Sequence, residues 1–138
     1  MFDKLMRLFR SMTSGMDSQS RDRSSDAVFI LKLGKLSMLM LVRKNGMWVM
    51  KYTDEFKAQD RVAPLVAFPN VEKTYQSEEL WPFFAVRIPS IARPEVERTV
   101  KQENLDYGDS AAMLDRFGGR SIADPFELES QGSLMTGS

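Results

Sequence analysis

The side chains that could act as acids, bases or nucleophiles are few in type, because the 138 residues include no histidine and no cysteine. The sequence therefore offers no imidazole base and no thiol nucleophile, which excludes Ser-His-Asp and Cys-His catalysis. A zinc site of the cysteine and histidine type is excluded for the same reason. Carboxylates could still support acid–base chemistry, but no paired carboxylates stand out. We expect no catalytic residue, no metal site and no cofactor.

Glycine-rich phosphate loops are also missing from the sequence. Neither G-x-x-x-x-G-K nor G-x-G-x-x-G occurs, and the pair Gly118-Gly119 is better explained as the stop of a helix. Together with the missing histidine and cysteine, this pattern favours a protein that is not an enzyme.

The composition is typical of one soluble domain with a packed core, since 43% of the residues are hydrophobic and 28% are charged. Lys plus Arg and Asp plus Glu each number 19, so the zero net charge gives no broad attraction to nucleic acid or acidic membranes. Charged residues interrupt both the first twelve residues and the apolar window 27–42, so neither fits a secretory signal or a membrane span. Together with the absence of cysteine, this predicts a cytoplasmic protein.

A tryptophan beside a proline is the most distinctive candidate for a binding residue. Around it, four apolar residues recur at helical spacing and are expected to pack in the core, namely Leu80, Phe83, Phe84 and Ile88. Trp81 is offset from that stripe and directly precedes Pro82. One interpretation is a half-buried core residue. The other is an exposed side chain that fills a partner's pocket, since Trp is over-represented at interface hot spots. Trp48, the competing candidate, is expected to pack inward.

Two arginines flank the turn that follows this stretch. Arg87 and Arg93 could pair with carboxylates of a partner, or with the nearby Glu95 and Glu97. The plain alternative is that both are solvated surface residues.

The N-terminal half of the chain predicts antiparallel strands. Val28 to Leu33 is a plausible first strand, and Asn45-Gly46 between two apolar runs predicts a hairpin with a two-residue turn. That register places Val42 opposite Val49 and Leu39 opposite Tyr52. Both faces of the hairpin are then largely apolar, so we expect either a small closed barrel or a sheet whose second face is covered by helices.

The remaining elements are predicted from prolines, glycines and capping residues. We expect a short helix or turn at Asp54–Arg61 capped by Thr53 or Asp54, and a short strand, at an edge, at Leu65–Phe68. We further expect a helix capped by Ser77 or a near neighbour and stopped by Pro89, a helix at Pro94–Asn104, a helix at Ser110–Phe117 capped by Asp109, and a short extended run at Ile122–Leu128. The fold class is therefore α+β, with a small antiparallel sheet or barrel in the N-terminal half and about three helices in the C-terminal half.

The two ends of the chain differ from this body in composition. Phe2, Leu5, Met6, Phe9 and Met12 form an amphipathic stripe in "MFDKLMRLFRSM". It fits either a helix that packs on the body or frays, or one that docks on a membrane surface or a partner. Residues 14–26 read as a flexible linker, so we expect residues 1–26 to add little to stability. The domain then spans 27–129, and residues 130–138 form a flexible tail.

The order of motifs resembles a known family. The segments "KLSMLMLVRKNGMWVMKYTDEF", "APLVAFP", "LWPFFAVRIPSIARPEV" and "AAMLDRFGGRSIADPFELE" are similar to the N-terminal subdomain of HipA-type serine/threonine kinases. The resemblance covers about Leu33 to Glu129. It implies a small antiparallel β-structure with a few helices. The kinase body has no counterpart after Glu129, so the resemblance is to the free-standing form of the subdomain, found as the HipS antitoxin of tripartite HipBST toxin–antitoxin systems.

The resemblance implies a binding function rather than catalysis. It implies an antitoxin that binds and inhibits a separately encoded HipT- or HipA-type kinase, with Trp81 entering the kinase active site. Pro82, Arg87 and Arg93 are the further partner-binding candidates. The alternative is a scaffold that joins such a kinase to a HipB-like helix-turn-helix repressor, and only through it to operator DNA, without inhibiting the kinase. Neither function requires a membrane.

Overall fold

The computed structural model describes residues 26–122 and 124–131, and in these ranges the chain is a mixed α+β domain. A five-stranded antiparallel sheet lies mostly in the N-terminal half, and four short helices lie mostly in the C-terminal half. In chain order the elements are β1 (Ala27–Leu33), β2 (Leu36–Lys44), β3 (Met47–Tyr52), α1 (Asp54–Lys57), β4 (Tyr75–Ser77), α2 (Pro82–Ala85), α3 (Pro94–Gln102), α4 (Ser110–Phe117) and β5 (Glu127–Ser130).

The β2–β3 hairpin is confirmed in its turn and its register. Asn45 and Gly46 have φ angles of 51° and 77°, the left-handed values that a two-residue turn of this type needs. Val42 lies opposite Val49 and Leu39 opposite Tyr52, as the sequence predicted. The strands alternate between two apolar sets because successive side chains point to opposite faces.

The sheet is open, with strand order β4-β3-β2-β1-β5, so the barrel alternative is wrong. Its first face carries the main core, in which strand residues such as Phe29, Leu41 and Trp48 pack with Phe84 and Leu114 of the helices. Its second face carries a smaller buried cluster built on Val28, Met40, Val42 and Val49.

The residues at the helix starts correctly predicted where α1, α3 and α4 begin. Asp109 caps α4 by accepting a hydrogen bond from the Ala112 N–H at 3.0 Å. Pro94 is the first residue of α3, where its missing N–H costs no helical hydrogen bond. Thr53 caps α1 by accepting from the Phe56 N–H at 3.0 Å, as predicted, and the helix ends at Lys57 within the segment 54–61.

The predicted edge strand at Leu65–Phe68 is wrong. These residues form a turn whose two buried ends contact the hydroxyl of Tyr52, which accepts from Leu65 N–H at 2.9 Å and donates to Phe68 O at 2.7 Å. The Tyr52 side chain supplies the hydrogen bonds that a strand here would have formed with the backbone of a neighbouring strand. The edge strand beside β3 is instead β4, and β5 is the edge strand on the other side of the sheet.

Two element boundaries in the C-terminal half also differ from expectation. Ser77 ends β4 and its hydroxyl accepts from Glu79 N–H at 3.1 Å, so it does not cap a helix, which begins only at Pro82. Ser130, assigned to the tail, belongs to β5 and lies opposite Phe29. The predictions for the N-terminal stripe, most of the linker and the last seven residues lie outside the described residues.

Candidate functional site

Helix α2 is a single turn that begins at the Trp-Pro pair. Trp81 is its N-cap residue with extended backbone, φ −62° and ψ 147°, which is the conformation that a following proline favours. The carbonyl of Trp81 accepts hydrogen bonds from the N–H groups of Phe84 and Ala85 at 3.0 and 2.9 Å. Pro82 then occupies the first helical position, as its ring requires. The backbone that carries the indole is therefore fixed on both sides.

The Trp81 indole packs against a cluster of aromatic rings on the core side. Phe68 lies at its centre, with ring centroids 5.1 Å from Tyr75, 5.5 Å from Trp81 and 6.0 Å from Phe84. The Trp81 and Phe68 rings meet edge to face, an arrangement that aromatic quadrupoles favour. The turn that Tyr52 holds thus places Phe68 where it can fix the orientation of Trp81.

Trp81 itself is half-buried and packs against the main core. Beside it Pro82 is exposed, and Val86 is 64% exposed. The N–H of Val86 donates to the carbonyl of Pro82 at 3.1 Å, so the two apolar side chains lie one turn apart on the same helix side. We call Trp81, Pro82 and Val86 the α2 surface. Sequence reasoning missed Val86, although its position off the core stripe was the available signal.

Arg87 is internal, and the exposed position that we expected for it is wrong. Its guanidinium donates to Gly118 O at 3.1 Å, Phe126 O at 3.1 Å and the Asp124 carboxylate at 2.7 Å. Burial lowers the pKa of Arg87, and the charge of Asp124 opposes that shift. Arg87 therefore joins the end of α2 to the end of α4 and to β5, and its side chain is directed inward rather than toward a partner.

The other two sequence candidates occupy contrasting positions. The side chain of Arg93 is 63% exposed at the start of α3, with Glu95 at 3.9 Å as a loose ion-pair partner. Trp48 is fully buried on the first sheet face, opposite Arg43, whose guanidinium lies 5.4 Å from the indole centroid. The structure thus brings Trp81 and Pro82 together, leaves Arg93 in solvent and places Trp48 in the core.

The Tyr52 hydroxyl, which holds the Leu65–Phe68 turn, has a shifted pKa. Burial raises the pKa of the Tyr52 hydroxyl, and the hydrogen bond from Leu65 N–H opposes that shift.

Within residues 26–122 and 124–131, no three acidic side chains are grouped closely enough to hold a metal ion. None of the helices in the same ranges is long and apolar enough to cross a membrane. The chemistry that the α2 surface offers is apolar and aromatic contact.

No protein-family model matches the chain, and no curated protein matches it either.

Proposed function

We propose that this protein is a cytoplasmic, non-catalytic inhibitor of a separately encoded HipA-type serine/threonine kinase, which it binds through the α2 surface. The proposal combines the resemblance of the motif order to the N-terminal subdomain of those kinases with the position of Trp81. The observation that carries it is a half-buried tryptophan fixed at a helix start beside two exposed apolar side chains.

A rigid aromatic side chain is well suited to this task. Binding through a flexible side chain loses about 0.5–1.5 kcal/mol in ordering, whereas an indole already oriented by its own domain avoids most of that loss. Phe68 and Phe84 hold the Trp81 ring, and Pro82 restricts the backbone next to it. The exposed Pro82 and Val86 would then exclude water around the indole, as residues at the border of a hot spot do.

Two exposed valines give a matched test of this surface. Val86 belongs to the α2 surface, whereas Val66, which is 97% exposed, lies in the turn between Leu65 and Phe68. We expect Val86→Asp to weaken inhibition of the kinase at least tenfold, because a charge would be desolvated in the interface. Val66→Asp should inhibit as the wild type does. Both variants should unfold at nearly the wild-type temperature, because each side chain faces solvent.

Titrating the chain into the kinase also distinguishes inhibition of the kinase from binding as a scaffold. The chain should lower kinase activity in proportion to the fraction of kinase bound, measured without any repressor present. A chain that binds the kinase and leaves its activity unchanged would contradict inhibition. That outcome would favour the scaffold that joins the kinase to a helix-turn-helix repressor.

A further inference from the structure

The turn between α2 and α3 carries Arg93, the exposed arginine that the α2 surface does not include. The N–H of Arg93 donates to the carbonyl of Ser90 at 3.1 Å, which closes the turn at its end. At its start, the carbonyl of Pro89 accepts from the Tyr107 hydroxyl at 3.0 Å. The segment 89–93 is therefore tied to the domain on both sides, and Ser90 lies exposed between these two contacts.

The hydroxyl of Ser90 is accessible to an enzyme. Its oxygen accepts from the Ala92 N–H at 3.0 Å, and its own proton has no acceptor among the residues that the structure describes. Of the serines and threonines in residues 26–122 and 124–131, Ser90 and Ser130 alone are exposed. Ser130 lies in β5 opposite Phe29, whereas Ser90 belongs to neither a helix nor a strand. Ser90 is thus the described hydroxyl best placed for modification.

Ser90 also lies close to the α2 surface. It follows Val86 by four residues, which span no more than about 14 Å even when fully extended. The actual path is shorter, because the N–H of Ile88 donates to the carbonyl of Ala85 at 3.0 Å and continues the helical turn beyond α2. An enzyme that binds the α2 surface is therefore brought to the Ser90 hydroxyl.

The charge next to Ser90 suits a phosphate group. The guanidinium of Arg93 lies 3.9 Å from the Glu95 carboxylate, and the two side chains are 63% and 65% exposed, so this pair holds Arg93 only loosely. A phosphoserine carries about two negative charges at pH 7 and would attract the guanidinium more strongly. A phosphate at Ser90 can therefore gain a cationic partner without breaking a buried contact.

We propose that Ser90 is phosphorylated by the serine/threonine kinase that the chain inhibits, an inference that rests on the proposed function. The Ser90 Oγ attacks the γ-phosphorus of ATP, the bond from that phosphorus to the departing oxygen of ADP breaks, and the hydroxyl proton passes to a carboxylate of the kinase. Trp81 and Ser90 belong to one short segment and cannot fill the same site together, so this reaction is slow.

Phosphorylation of Ser90 weakens the inhibition. The added phosphate lies within a few residues of Val86, and it must lose water when the apolar α2 surface is buried against the kinase. The modified chain therefore binds less tightly, and the kinase gradually escapes its inhibitor as long as ATP is present.

Incubating the full-length chain with the kinase and ATP tests this inference, with the phosphorylated positions located by mass spectrometry. Ser130→Ala, which removes the other exposed hydroxyl, is the control for Ser90→Ala. We expect phosphate at Ser90 in the wild type and in Ser130→Ala. At the start, both variants should inhibit as the wild type does. Ser90→Ala should then keep its inhibition while the wild type loses it, and purified phosphorylated chain should inhibit at least tenfold less strongly.

The outcomes separate this inference from the proposed function. A wild-type chain that inhibits the kinase but carries no phosphate, or carries it only at other residues, would overturn the inference and leave the inhibition intact. Phosphorylated chain that inhibits as strongly as unmodified chain would overturn the weakening. Phosphate at Ser90 in a chain that does not inhibit would support the modification site and contradict the proposed function. A chain that neither inhibits nor is phosphorylated would contradict both.

Discussion

At the scale of single residues, Arg87 shows how a charged side chain becomes structural. Its fork of donors reaches two carbonyls and one carboxylate on segments more than thirty positions away. A planar guanidinium can satisfy all three acceptors at once, which a lysine ammonium on a single stem does not match.

We predict that Arg87→Ala lowers the free energy of unfolding by about 3–5 kcal/mol, because Asp124 and two carbonyls lose their buried donor. Arg87→Lys should recover little of this loss. Urea denaturation measures both, with Arg93→Ala as the control, which should change stability by no more than about 0.5 kcal/mol since Arg93 is exposed. An Arg87→Ala chain as stable as the wild type would show that the three contacts are dispensable.

Tyr52 carries the second prediction at this scale, and it depends on pH. Because burial raises its pKa, the folded state holds the phenolic proton more tightly than the unfolded state does. Its contribution to stability is therefore complete below about pH 10 and is lost as the pH rises above that value.

Tyr52→Phe should cost about 1–3 kcal/mol at pH 7, because Leu65 N–H and Phe68 O lose their partner. The same variant should lose less additional stability between pH 9 and pH 11 than the wild type. Denaturation at several pH values measures both effects. Tyr107→Phe leaves Tyr52 in place and should retain the full alkaline loss; equal alkaline loss in Tyr52→Phe would refute the assignment.

At the scale of elements, the β2–β3 turn depends on two residues in the left-handed region. Asn tolerates positive φ better than most residues, but a β-carbon at Gly46, where φ is 77°, would be strained. We predict that Gly46→Ala costs about 1–2 kcal/mol in urea denaturation. Gly119→Ala is the control, because its β-carbon would meet Leu128 O at an ordinary 3.6 Å. Similar losses in both variants would argue against turn strain as the cause.

The elements that sequence reasoning predicted correctly are those set by neighbouring residues. The Asn45-Gly46 turn, the Pro94 helix start and the Asp109 cap each depend on contacts within about four positions. The Leu65–Phe68 turn was missed because the hydroxyl that organises it belongs to Tyr52, at least thirteen positions earlier. The hydrophobic pattern alone could not indicate that partner.

For the candidate site too, the sequence predicted the features set by neighbouring residues and missed those set by distant ones. The Trp81-Pro82 pair was visible in the sequence because a proline beside a tryptophan limits the local backbone. The internal position of Arg87 was not visible, because its acceptors lie at the end of α4 and around β5 and meet only when the chain folds. Val86 could have been recognised as an apolar residue off the core stripe.

At the scale of the whole molecule, the sheet separates two apolar surfaces. The first face packs with the helices. Trp81 packs against the edge of that core, and Pro82 and Val86 of the same helix segment are exposed. The second face carries the smaller cluster of Val28, Met40, Val42 and Val49. Kinase inhibition is proposed for the first of these surfaces, so substitutions on the second face should not affect inhibition beyond any change in the folded fraction. This separation makes Trp81 the residue on which the functional account depends.

The central claim is tested most directly by titrating wild type and Trp81→Ala into the kinase and measuring residual phosphorylation. The account predicts a loss of inhibition of about thirtyfold or more, equivalent to about 2 kcal/mol. Loss of packing against Phe68 should also cost about 1–3 kcal/mol of stability, so circular dichroism must show that the variant is folded at the assay temperature. A folded Trp81→Ala chain that inhibits at the wild-type concentration would contradict the account.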